Sequence, residues 1–130
     1  MSKGHILVVE DNLDNYELVR TILELADYDT FLAVNGRDGV DAARKQQPDL
    51  ILMDMNLPEM DGWDATERIR NDPETAHIPM VALTVHTLPR ERKRALDAGV
   101  DAYLPKPFDA TYFLQVVEST LRNSKRKKKA

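Results

Sequence analysis

At 130 residues, with 42% apolar residues and no cysteine, the chain has room for one core and lacks both a disulfide framework and a thiolate metal site. No apolar run is long enough to cross a bilayer, and Met1-Ser2-Lys3-Gly4 leads directly into a strand-like run without a signal-peptide core, so a cytoplasmic location with no membrane insertion is expected. The net charge of −4 is uneven, because five cations fall in the tail 124–130; without them about −9 remains, which makes the folded body a poor partner for nucleic acid.

In chain order, the apolar run at 5–10 predicts a first strand. A helix over about 13–26 follows, with capping oxygens offered by Asp11, Asn12 and Asp14 and an apolar repeat at Leu18, Ile22 and Leu25. A second strand at 29–34 stops at the turn signal Asn35-Gly36. A second helix at 36–46 cannot pass Pro48. The third strand is 50–53, the segment 55–62 is a loop, and the third helix covers about 63–71. Asp72-Pro73 breaks that helix before a fourth strand at 80–84. The fourth helix, 89–98, ends at Gly99, the fifth strand is 101–104, and the fifth helix, 109–122, has Asp109 as its cap. Domain limits of 4–123 follow, with 124–130 read as a disordered basic tail free to touch an acidic partner, nucleic acid or anionic lipid.

Strands alternating with helices predict an α/β fold, a doubly wound parallel sheet covered on both faces. Strand 2 carries Asp29 and Thr30 and reads as an edge. The C-terminal strand ends then share one crevice, which collects Glu10, Asp11, Asp54, Thr84 and Lys106. Three carboxylates suit a divalent cation and a neighbouring lysine suits an anion. The combination points to magnesium-assisted phosphoryl chemistry at a carboxylate. His5, His77 and His86 are too scattered for a zinc site, and Trp63 reads as packing between helix 3 and the sheet.

Five segments occur in order: Val8-Val9-Glu10-Asp11-Asn12, Asp49-Leu50-Ile51-Leu52-Met53-Asp54, Leu57-Pro58-Glu59-Met60-Asp61-Gly62, Ala82-Leu83-Thr84 and Lys106-Pro107-Phe108. Together they resemble the receiver domain of bacterial response regulators, in the manner of single-domain chemotaxis regulators, over residues 4–122. The resemblance implies a flavodoxin-like (βα)5 sheet in the order 2-1-3-4-5. It implies phosphoryl transfer from a histidine kinase or histidine phosphotransfer protein onto Asp54. Glu10, Asp11, Asp54 and the backbone carbonyl of Asn56 would hold Mg2+, with Asp11 the more direct ligand.

Thr84 and Lys106 would contact phosphoryl oxygens, Lys106 through a cis peptide to Pro107. Asn56 and His86 would flank the acyl phosphate. Thr84 and Tyr103 would form the switch, Tyr103 turning inward as Thr84 moves, so that the surface of helix 4, strand 5 and helix 5 changes for an unidentified target or for onward transfer. Helix 1 would meet the donor. The resemblance implies a phosphorylated signalling protein, not an enzyme, although slow self-dephosphorylation is compatible with it.

Each residue also has a plainer role. Glu10 and Asp11 suit a helix N-terminus, Thr84 suits a strand, and Tyr103 suits a half-buried strand position. A receiver-like module that binds partners without phosphorylation is one alternative. An aspartyl-phosphate phosphatase is another, although Asn56 and Leu13 stand where its second acid would be needed. A start at Met1 and the short tail favour a stand-alone protein over an excised domain.

Overall fold

The computed structural model describes residues 2–57, 62–84, 89–106 and 109–129, with side chains up to residue 124. Among them, strands β1 (His5–Val9), β2 (Asp29–Ala33), β3 (Leu50–Asp54), β4 (Met80–Thr84) and β5 (Ala102–Pro105) alternate with helices α1 (Leu13–Leu25), α2 (Gly36–Gln46), α3 (Gly62–Asn71), α4 (Pro89–Ala98) and α5 (Ala110–Lys129). All strand pairs are parallel and the sheet order is β2-β1-β3-β4-β5. The α/β fold and the edge position of β2 are as expected.

Side-chain alternation along the strands divides the core in two. Leu7, Val9, Ile51, Met53, Met80 and Ala82 meet α2, α3 and α4 through Ala43, Ala65, Ile69 and Ala95. Ile6, Val8, Leu50, Leu52, Val81, Leu83 and Leu104 meet α1 and α5 through Val19, Leu23, Phe113 and Val117. β3 and β4 are buried along their whole length, which is why they read as uninterrupted apolar runs.

Besides one-residue shifts at the ends of β1, β2, β3 and α3, three expectations need correction. The buried stripe of α1 is Val19 and Leu23, flanked by Tyr16, Ile22 and Ala26, whereas Leu18 and Leu25 are 56% and 82% exposed. A step of one residue turns a side chain by about 100°, so a repeat shifted by one residue faces water. β5 starts and ends one residue later than expected. Lys106 N–H donates to the Thr84 carbonyl at 2.8 Å, so the preceding residue, Pro105, turns its missing N–H toward the open sheet edge, where proline is tolerated. α5 passes the expected end at 122 and runs to Lys129. No glycine or proline interrupts that stretch, lysine and arginine are good helix formers, and cations suit a helix C-terminus.

The turns that carry the site are fixed locally. Asn12 caps α1 by accepting from Asn15 N–H at 3.0 Å, and Asn35 caps α2 by accepting from Asp38 N–H at 2.8 Å. Asp109 caps α5 by accepting from Tyr112 N–H at 3.0 Å. Gly62 must be glycine because a Cβ there would lie 2.5 Å from Met55 Cα and 2.7 Å from the Asp54 carbonyl oxygen. α3 therefore starts directly against the end of β3.

Candidate functional site

The register delivers the polar residues to the C-terminal edge of the sheet. Val9 pairs with Met53, Asp54 with Leu83, and Thr84 with Pro105. The ladder runs one step past the strands, with Glu10 N–H donating to the Ala33 carbonyl at 2.9 Å and Met55 N–H to the Leu83 carbonyl at 2.9 Å. Glu10, Asp54 and Thr84 are buried at that edge, while Asp11 opens to solvent.

Carboxylate oxygens of Glu10, Asp11 and Asp54 all lie within 4.8 Å of one another. Lys106 places Nζ 3.1 Å from Glu10 Oε1 and 3.5 Å from Asp54 Oδ2. One ammonium thus offsets two buried carboxylates. Asp54 Oδ1 accepts from Asn56 N–H at 2.9 Å, and Glu10 Oε2 accepts from Asn12 N–H at 3.4 Å. The Asn56 side-chain amide approaches Thr84 Oγ1 at 3.5 Å, the limit of a hydrogen bond.

The Glu10 carboxyl is pushed up to about 7, first by burial and then by the Asp54 carboxylate beside it, with Lys106 opposing the rise. A proton on Glu10 therefore stands in part for missing positive charge. The donor set is all hard oxygen, which fits Mg2+ better than a softer metal.

Tyr103 has its hydroxyl buried and without a hydrogen-bond partner among the described residues. Its ring packs against the α2–α3–α4 core. Burial raises the phenol, and Thr84 lies near enough to oppose that rise, although the contact falls short of hydrogen-bond geometry. The hydroxyl thus lies inside in this conformation.

Trp63 is 9% exposed in the α2–α3–α4 core, as expected for a packing residue, and Arg94 of α4 stacks on its ring at 4.4 Å. His5 and His77 are exposed, and His5 meets Asp29 at 3.3 Å. The expectations for His86, the loop residues 58–61 and the Lys106-Pro107 peptide bond lie outside the described residues.

Sequence reading missed the Glu10–Lys106 pair and the packing of Gly62 on Asp54. The pair joins residues 96 apart, with no local signal. The glycine contact is hidden because Asp61-Gly62 is, in sequence, an ordinary turn dipeptide.

A family model described as the response regulator receiver domain matches residues 6–118. The polar-differentiation response regulator DivK of Brucella anthropi is 37% identical over 116 residues, 89% of this chain and 94% of that protein. The receiver domain of a sensor histidine kinase from Pseudomonas aeruginosa, solved with a magnesium ion coordinated in its active site cleft, is 35% identical. The match covers 91% of this chain and 97% of that one at a TM-score of 0.84. A CheY-like receiver domain protein from Methanospirillum hungatei, at 24% identity, shares the fold at a TM-score of 0.89 over 97% of this chain and 99% of its own. With its 2-1-3-4-5 sheet and an acidic cluster at the sheet's C-terminal edge, the chain belongs to the response regulator receiver family of two-component signalling.

Proposed function

We propose that Asp54 accepts a phosphoryl group from a phosphohistidine on a partner kinase or phosphotransfer protein, and that the charge so created switches an output surface. One observation carries the reading: a buried carboxylate ends the central strand, held by Asn56 N–H on one oxygen and faced by Lys106 on the other, among two further acids.

In the transfer, a carboxylate oxygen of Asp54 forms the new bond to phosphorus as the donor's phosphorus–nitrogen bond breaks. The imidazole leaves with the electron pair and takes up a proton from water. Lys106 is poised to follow the charge. As the Asp54 carboxylate becomes an acyl phosphate, its ammonium can pass to a phosphoryl oxygen while keeping Glu10. Thr84 offers a hydroxyl, and Asn56 holds Asp54 through its N–H. Glu10, Asp11, Asp54 and the backbone carbonyl of Asn56 would hold Mg2+, which when bound neutralises the carboxylates and the incoming phosphoryl oxygens. Glu10 must release its proton to join that set.

Thr84 and Tyr103 link the site to α4, β5 and α5. Drawing Thr84 toward phosphate changes the polar surroundings of the buried Tyr103 hydroxyl, and that biases the packing of Tyr103 against α4. The output is altered affinity for a downstream protein or onward transfer to another histidine. The chain acts as a signalling protein. A cytoplasmic location goes with this reading, because nucleoside triphosphate charges the histidine donor there.

Borohydride trapping tests the assignment. After treatment with acetyl phosphate and Mg2+, reduction should convert one aspartate, Asp54, to homoserine, as read by peptide mass mapping. Reduction at a different aspartate would overturn it.

A further inference from the structure

α4 has little apolar hold on the domain. Ala95 is its one buried residue, with Ala98 partly buried beside it, and Leu96 is 45% exposed. Polar contacts must therefore set its position, and its two ends differ. At the C-terminal end, Arg70 of α3 donates to the Gly99 carbonyl at 2.8 Å and also to the Ala76 and Ile78 carbonyls and Asp101. Gly99 has φ +114°, and a Cβ there would lie 2.7 Å from Arg70 Cγ. That end is clamped.

The N-terminal half instead crowds Arg90, Arg92, Lys93 and Arg94 at the positive end of the helix dipole, with Glu91 as its one acid. Cations at this end, and at i,i+3 and i,i+4 from one another, work against the helix. Among the described residues, a contact that fastens this half to the body is Arg94 stacked on Trp63 at 4.4 Å. Trp63 directly follows Gly62, which rests on the Asp54 carbonyl oxygen and Met55.

We propose that Arg94 on Trp63 is the latch holding the N-terminal half of α4 in its resting place, with Arg70 and Gly99 as the fixed pivot. Arg94 is a positioning residue: charge gained at Asp54 releases it, and α4 swings about its C-terminal end. This rests on the phosphoacceptor reading. A contact present only in the resting state disfavours the activated one, so its loss enriches the activated state and tightens whatever binds that state. For one cation–π contact at a partly exposed site the expected factor is about two- to fivefold.

Beryllium fluoride with Mg2+ serves as the phosphoryl mimic, read by calorimetry and by emission of Trp63, the chain's single tryptophan. Arg94→Ala should bind it about two- to fivefold more tightly than the native chain. Arg94→Lys, which keeps the charge but loses the planar group that stacks on the ring, should lie between the native chain and Arg94→Ala, and Arg90→Ala, which removes a neighbouring cation, should bind no more tightly than the native chain. Native Trp63 emission should change on binding, and that of Arg94→Ala should already resemble the bound form. Equal or weaker binding by Arg94→Ala would overturn the latch.

Hydrogen exchange without ligand tests the latch apart from the phosphoacceptor reading. Arg94→Ala should speed exchange of the α4 amides about two- to fivefold while Asp101 keeps its native rate. Unchanged α4 exchange would overturn the latch even where the mimic binds. A native chain that never binds the mimic would refute the phosphoacceptor reading, and with it the release step.

Discussion

Glu10 shows how a single residue couples proton, metal and fold. Its raised pKa means that the folded chain keeps a proton the unfolded chain releases between about pH 4.5 and 7. The stability this proton contributes is fully present below pH 4.5 and is lost as pH rises through 7. In metal-free buffer, the melting temperature of the native chain should fall across that window relative to Glu10→Gln, which does not titrate. Parallel curves would show that Glu10 is ionised throughout.

Mg2+ affinity should rise with pH over the same window, since the cation displaces the proton. Lys106 gives a second expectation. Lys106→Ala should retain Mg2+, having lost a competing cation rather than a ligand. Its reaction with acetyl phosphate should slow roughly ten- to a hundredfold, the equivalent of one charge-assisted hydrogen bond. Rates from intact-mass time courses, beside Mg2+ calorimetry, would check both.

At the scale of elements, two glycine contacts place the helices. Gly62→Ala would drive a Cβ into Met55 and the Asp54 carbonyl, so α3 must retreat from β3. A loss of about 1–3 kcal/mol in urea unfolding is expected, together with weaker Mg2+ binding because Asp54 moves. Arg70→Met should cost about 3 kcal/mol. It leaves three carbonyls short of a donor and removes the cation from Asp101, which among the described residues keeps the Met80 N–H at 2.8 Å. A change below 1 kcal/mol would show that water substitutes for the guanidinium.

Elements were legible where punctuation was strong. Pro48, Gly99 and Asp109 each end or start a helix as read. The end of α5 was not, because nothing between Asn123 and Lys129 breaks a helix. The buried side of α1 was not, because two apolar repeats one residue apart compete and only packing against α5 and the sheet chooses between them.

At the scale of the molecule, the site is a consequence of topology. Parallel order brings five separate stretches of chain to one edge, so Glu10, Asp54, Thr84 and Lys106 meet although up to 96 residues part them. Residue types and strand-end positions made that gathering readable in advance. Distances and charge balance were not readable, since the Lys106 bridge and the Glu10 proton arise only from burial in three dimensions.

The most direct test is intact mass after incubation with acetyl phosphate and Mg2+, beside Asp54→Ala. A single phosphoryl adduct is expected on the native chain, absent without Mg2+ and absent from the variant. An adduct that persists in Asp54→Ala, or forms equally well without Mg2+, would contradict magnesium-dependent phosphorylation of Asp54.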